Sequence, residues 1–431
     1  MNRALRHLSL RNDAERTMSA PRGQEAYSRS VHTSDTDWAG HEPGQRGYRR
    51  LLFALFLAGV ATFSQLYSPQ GLLPLISSDL QVSAADAALT VSTATLGLAL
   101  GVIPWSYAGD RWGRLRTMGI AVLSACLFSL AAALTVDFEA ILVLRFAEGF
   151  ALGGVPALAV AYLSEEVHGR WSAIAAGTYI SGTTLGGLAG RLIAAPVGEL
   201  THWRIGMLTV TGVAVACAVG FLLLAPPSRR FSPQRVSLGE AVSALTGNLR
   251  SVRLIALYAQ GLLLMGGFVA MYNFLGFHLT EEPFGLPLAL VSLVFVAYLA
   301  GTWSSPVAGR LAVRWGRRPV LLACTALMAV GVLSTVIPHL AVILAGTVLF
   351  TGAFFGAHSV ASGWAGTAAL AGRAQSSSLY NLGYYSGSSI FGWLGGVFLA
   401  QHGWSGTVLM TTGLVVLAGL IAVLFLREPQ H

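Results

Sequence analysis

SYAGDRWGRLRT, residues 106–117, and GRLAVRWGRRPV, residues 309–320, share the tetrapeptide RWGR at 111–114 and 314–317, and each copy lies between two long apolar runs. A basic loop set twice between apolar runs describes a chain built from two related units, each crossing an apolar medium. The copies are unequal, because Val313 stands where the first copy has Asp110.

Outward from these loops the apolar runs recur at about 20 residues each, the length that spans roughly 30 Å of hydrocarbon at about 1.5 Å per residue. Twelve spans are predicted: 50–76, 87–108, 118–136, 139–163, 173–198, 204–225, 252–278, 285–308, 319–337, 340–363, 376–399 and 404–426. Composition agrees, since only 11% of the 431 residues are charged and 54% are apolar, against roughly 25% charged in soluble domains. The sequence therefore predicts an all-α membrane protein of 12 transmembrane helices in two pseudo-symmetric six-helix bundles.

Every one of the 27 basic residues is Arg, and alternate loops share them unequally. With both termini cytoplasmic, 24 Arg fall on the inside and Arg204 alone on the outside, leaving Arg145 and Arg191 within spans. That asymmetry predicts cytoplasmic termini. Residues 1–49, rich in Arg, Ser and Gly, are predicted to be a disordered cytoplasmic tail with no apolar core of a signal peptide. Residues 50–225 and 252–426 form the two bundles, 226–251 the polar cytoplasmic loop between them, and 427–431 the cytoplasmic C-terminus. A second repeat supports the division: YISGTTLGGLAGR at 179–191 resembles YYSGSSIFGWLGG at 384–396.

Several classes are disfavoured. Cys126, Cys217 and Cys324 each sit in an apolar run without metal-ligand spacing, and read as packing residues. The net charge of +8 does not point to nucleic acid, because the Arg residues flank apolar spans and suit anionic lipid instead. No nucleotide loop, paired-Cys or HExxH metal motif, or catalytic set is present, and Glu165–Glu166 and Glu281–Glu282 read as loop acids. No catalytic residue, metal or cofactor is expected; the partners expected are a small-molecule substrate, protons and the bilayer, with the chain a monomer.

With these residues in view the chain resembles the major facilitator superfamily from about residue 50 to 426. Its loop signature GxxxDRxGRR is met here by Ser106 in place of the first Gly, then Asp110, Arg111, Gly113, Arg114, Leu115 and Arg116. RFAEG at 145–149 is similar to the RxxxG signature of the fourth helix, and SGTTLGG at 181–187 to the antiporter signature GPxxGG, with Thr183 in place of Pro. YSPQGLLPLISSDL at 67–80, YNFLGFHL at 272–279 and GAHSVASGW at 356–364 resemble the YnfM-type efflux branch, grouped with arabinose-efflux and multidrug permeases. The resemblance implies two six-helix halves around a cavity lined by helices one, four, seven and ten.

Glu148 is the one acid predicted inside a span, where an ionisable group costs several kcal/mol unless paired or hydrated (about 3 or more). Arg145 lies three residues earlier on the same helical face, and Arg191 is expected at similar depth on the fifth helix. Glu148 is thus the expected proton carrier, with Arg145 and Arg191 balancing the desolvation of its carboxylate; a permanently ionised Arg–Glu–Arg cluster is the structural alternative. Asp110, Arg111, Gly113 and Arg114 are the expected cytoplasmic gate, Gly113 allowing the tight turn. Ser181, Gly182, Gly186, Gly187 and Gly190 are expected to let two helices approach and rock. Gln65, Tyr67, Tyr272, Asn273, His358, Tyr380, Asn381 and Tyr384 are cavity candidates, with His358 the most suited to a hydrogen-bonded structural role. The function expected is proton-coupled efflux of a small organic molecule by alternating access; a symporter or uniporter for a sugar or organic acid, and a membrane-embedded transferase, are the alternatives.

Overall fold

A computed structural model describes residues 39–231, 246–369 and 372–427. In chain order the helices are α1 Arg46–Tyr67, α2 Leu73–Leu80, α3 Ala84–Trp112, α4 Arg114–Leu134, α5 Phe138–Leu152, α6 Pro156–Glu166 and α7 Ser172–Leu200. They continue with α8 Trp203–Leu224, α9 Val252–Thr280, α10 Leu288–Val291, α11 Leu299–Trp315, α12 Arg317–Ser334, α13 Leu340–Ala368 and α14 Arg373–Phe425. Two 3₁₀ segments matter below: Ser68–Gly71 at the end of α1, and Ser292–Tyr298 between α10 and α11.

Ten helical stretches among the described residues are long and apolar enough to cross a membrane. One of them, α14, breaks at Gly403, whose φ of 62° and ψ of −159° leave the helical region, so it forms two spans. To these α7 adds a span of 29 residues, less apolar because of Arg191 and its many Gly, Ser and Thr residues. The total is the twelve predicted. Polar caps start the helices where loops meet them: Ser83 accepts from the Asp86 amide at 3.0 Å and Asp137 from the Ala140 amide at 2.8 Å.

The two RWGR loops have the same backbone. Gly113 between α3 and α4 has φ 95° and ψ 143°, and Gly316 between α11 and α12 has φ 91° and ψ 155°. Glycine alone reaches this region without a steric penalty, so the tetrapeptide is a one-residue helix break made twice. The close helix contacts repeat as well. A Cβ on Gly182, Gly186 or Gly190 of α7 would strike the carbonyls of Phe56, Val60 and Ser64 on α1, and one on Gly383 or Gly387 of α14 would strike those of Tyr258 and Leu262 on α9.

The tail prediction requires a correction at its end. Residues 1–38 lie outside the described residues, but 39–49 do not follow the expected disorder: α1 starts at Arg46, and His41 pairs with Val167 as a parallel bridge. The reason is backbone satisfaction, since the His41 amide donates to the Glu166 carbonyl at 2.8 Å and accepts at its own carbonyl from the His168 amide at 3.1 Å. Most of the expected central loop, 232–245, and residues 428–431 also lie outside the described residues.

Candidate functional site

Three buried polar clusters sit at different depths in the bundle. The first is at the RWGR end. Arg114 pairs with Asp110, and its Nε donates to Glu165 Oε1 at 3.0 Å. The ring of Phe231 lies 5.8 Å from the Arg114 guanidinium. Glu165 and Glu166 correct the expectation of loop acids: they close the last turn of α6, and Glu166, fully buried, accepts from the Arg229 and Arg230 amides at 2.7 and 3.0 Å. Pro156 restarts the fourth span as α6, which carries the helix about one turn past the apolar run. The cluster thus ties α3, α4, α6 and the start of the central loop together within the first half. In the second half Val313 is exposed, Arg317 donates to Thr367 Oγ1 at 2.6 Å and Arg318 to the Val423 carbonyl at 2.5 Å.

The second cluster lies mid-bundle. Arg145 and Glu148 are fully buried, with Arg145 Nη1 donating to Glu148 Oε2 at 2.6 Å. Arg145 also donates from Nε to the Thr90 carbonyl at 2.9 Å, from Nη1 to the Gln65 carbonyl at 3.3 Å and from Nη2 to the Leu66 carbonyl at 2.7 Å. The Gln65 and Leu66 carbonyls face Arg145 where α1 ends at Tyr67 and the chain turns into the 3₁₀ segment at Pro69, and the Thr90 carbonyl is supplied by α3. Among the described residues Glu148 Oε1 has no hydrogen-bond partner.

The third cluster is built around Arg191 and corrects its expected placement. Arg191 forms no ion pair with Glu148 or any other carboxylate among the described residues. Similar depth did not bring them together because orientation about the helix axis decides the neighbour. Gly182, Gly186 and Gly190 turn one face of α7 onto α1, and Arg191, one residue past Gly190, points about 100° away. Its Nε donates to Gln70 Oε1 at 2.7 Å, Nη1 to the Gly187 carbonyl at 2.5 Å and Nη2 to the Tyr298 hydroxyl at 3.3 Å. Three aromatic rings surround the guanidinium: Tyr67 at 4.4 Å, and Phe295 and Tyr298 at 4.9 Å each.

From this box a hydrogen-bonded path crosses between the halves. Gln70 Nε2 donates to Asn273 Oδ1 at 2.6 Å, and Asn273 Nδ2 donates to the Gly392 carbonyl at 3.1 Å. At the same end Glu199 caps α10, accepting from the Leu288 and Ala289 amides at 2.7 Å each. Gln70, Glu199, Phe295 and Tyr298 were missed by sequence reasoning; a polar residue beside Pro69 at a span's end was the one available signal.

The remaining cavity candidates divide. Gln65 is fully buried and bonds its own helix at the Ala61 carbonyl at 2.9 Å, leaving Oε1 unpartnered. The Tyr272 and Thr351 hydroxyls are 2.6 Å apart, and the Tyr272 ring packs on Phe268, Phe295 and Tyr298. His358 Nδ1 lies 2.9 Å from the Tyr380 hydroxyl, with the Tyr384 ring 4.8 Å away. Asn381 is exposed in a shallow groove between α3 and α14, where Val102, Ile103 and Tyr385 also lie. Ser181 faces away from the α1 contact and is exposed, bonding its own helix at Gly177.

The sequence matches the family model "Major Facilitator Superfamily" over residues 51–303 and 279–431. It is 38% identical over 371 residues to the MFS-type transporter YybF of Bacillus subtilis (strain 168), covering 86% of this chain and 92% of YybF. It is 39% identical over 395 residues to the inner membrane transport protein YnfM of Escherichia coli (strain K12), covering 90% and 95%. Among solved structures, that of a D-xylose-proton symporter superposes with a TM-score of 0.69 at 16% identity, covering 88% of this chain and 97% of the symporter.

Proposed function

The chain belongs to the Major Facilitator Superfamily, and we propose that within it this protein is a proton-coupled antiporter exporting a small organic molecule from the cytoplasm. Coupling of a solute to protons in a multi-pass secondary transporter has to run through its own side chains. The observation that carries the reading is Glu148: fully buried, held on one oxygen by Arg145 and bare on the other. A carboxylate so placed has one oxygen available for a proton, and protonation would release Arg145 to its carbonyl acceptors on α1 and on α3, the latter packed against α14 of the other half.

In this reading residues 50–225 and 252–426 rock as two bodies, the RWGR end faces the cytoplasm of a bacterial-type inner membrane and both termini are cytoplasmic. The Asp110–Arg114–Glu165 cluster, with Arg111 and the Gly113 break, is then a cytoplasmic latch that holds the first half rigid as it moves, and the protein works as a monomer.

Proteoliposomes with an imposed pH gradient test the proposal. Wild-type efflux of a solute found in a substrate panel is expected to follow the gradient, and Glu148→Gln to retain substrate exchange while losing at least about tenfold of the gradient-driven rate. Unchanged gradient dependence in Glu148→Gln overturns the reading. Symport or uniport of a sugar or organic acid is the second reading, favoured by Thr183 in place of the antiporter proline and by the shared fold with the D-xylose-proton symporter; the sign of the gradient that drives flux separates the two.

A further inference from the structure

We propose that Arg191 is the anion-binding subsite of the transported solute, and that the solute is a small planar organic acid whose carboxylate seats on this guanidinium. The proposal rests on the reading of the chain as a secondary transporter and adds the chemical class of its substrate.

Arg191 is 2% exposed, a buried cation whose acceptors are all neutral. A charge withdrawn from water is costly without an opposite charge, and here none is supplied among the described residues. Three of its five N–H groups have acceptors and two have none. The bond to Tyr298, at 3.3 Å, is the longest of the three and the one that crosses between the halves.

The box is assembled by the two 3₁₀ segments. With three residues per turn, positions three apart eclipse. Tyr67 and Gln70 therefore present one face from the end of α1, and Phe295 and Tyr298 present one face from the segment before α11. The second segment runs seven residues, past the usual three or four, and a 3₁₀ stretch inside a span marks a place that can rewind. Rewinding either segment to an α-helix would rotate one of its two residues off Arg191.

The surroundings suit a planar body attached to the acid. Tyr67 stands on the guanidinium at 4.4 Å, and among the described residues no hydrogen bond involves its hydroxyl, leaving a donor for a second carboxylate oxygen. From Tyr298 the aromatic wall continues through Phe355 at 5.7 Å and Phe354 at 5.3 Å beyond it, to Tyr384 at 6.4 Å. In this structure the box is closed; the acid would take the place of the Tyr298 hydroxyl as the halves part, so that binding and opening at this end are one event.

The test is thermal stabilisation of purified full-length protein in detergent, with benzoate and cinnamate set against benzamide, cinnamamide and inorganic phosphate. Saturable stabilisation by an acid and not by its amide or by phosphate is expected. Arg191→Gln should weaken it roughly a hundredfold and Arg191→Lys, which keeps the charge and loses the planar fork, about tenfold. Tyr298→Phe, which removes only the competing bond, should retain acid binding, and it decides the matter with the Lys variant if Arg191→Gln does not fold. The proposal is overturned if no acid stabilises the wild type, if amide or phosphate does equally well, or if the Arg191 variants keep the acid preference. Proton-coupled transport of a neutral solute without acid binding sinks the subsite and leaves the transport reading intact. Acid binding without any solute flux in vesicles does the reverse.

Discussion

At the residue scale, one arginine shows what the sequence reveals and what it hides. The spacing of Arg145 and Glu148 on one helical face was sufficient to predict their pairing, which the structure shows at 2.6 Å. The three carbonyls that Arg145 also holds were hidden, because they depend on where α1 ends and on α3 passing alongside. Arg145 therefore does two jobs, neutralising a carboxylate and closing a helix end. Arg145→Met should leave the buried Glu148 carboxylate without its cation and lower stability by about 3–5 kcal/mol, and Glu148→Gln, which leaves the Arg145 cation to its carbonyl acceptors, by less. Thermal unfolding of both variants in the same detergent checks this; equal losses would mean that the carbonyl contacts contribute nothing. Arg191 is the converse case. Its depth could be counted from the span's end, but its rotation about α7 is set by Gly182, Gly186 and Gly190, so the sequence paired it with the wrong partner.

At the element scale, legibility follows periodicity and length. All twelve spans were readable because each needs about 20 apolar residues to satisfy its backbone within the bilayer. Helix ends were read less well where polar residues are buried, as at Glu165 and Glu166, since a carboxylate past an apolar run looks the same in sequence whether it meets water or Arg114. The 3₁₀ segments were invisible, because Ser292–Tyr298 has no composition that distinguishes it from the α-helix it interrupts. The glycine ladder of α7 was legible, and its repeat in α14 explains why the two sequence repeats fall on equivalent helices. Each ladder needs backbone contact with one neighbour, α1 or α9. Gly190→Leu should force α1 and α7 apart, displace Arg191 from Gln70 and cost about 2–4 kcal/mol. Insertion and monodispersity on size exclusion, followed by thermal unfolding, provide the check; a variant as stable as wild type would show that the contact can relax.

At the scale of the whole molecule, α3 and α14 pack along the interface between halves, and the hydrogen bonds that cross it among the described residues gather where Gln70 meets Asn273, Arg191 meets Tyr298 and Glu199 meets the α10 amides, at the end away from the RWGR loops. The proposed rocking would break and re-form these bonds in each cycle, and each is of a kind that can part: an amide–amide pair, a tyrosine on a guanidinium, a carboxylate on a helix N-terminus. None is a buried ion pair, whose rupture would cost several kcal/mol, about 3–5, and stall the cycle. Pro74 and Gly276 also face each other across this interface, a Cβ on Gly276 standing 3.7 Å from Pro74 Cγ. With Cys126, Cys217 and Cys324 replaced by Ala, a Pro74→Cys/Gly276→Cys pair bridged by a short bifunctional methanethiosulfonate should hold this end shut. Transport in proteoliposomes is expected to fall at least about tenfold on bridging and to return with reductant, because a permanently closed end leaves the solute no exit. Acid stabilisation at Arg191 should fall together with it, since the Tyr298 contact can no longer part. Full transport in the bridged protein would mean that solute passes without this end opening, and that the bonds seen here are packing alone.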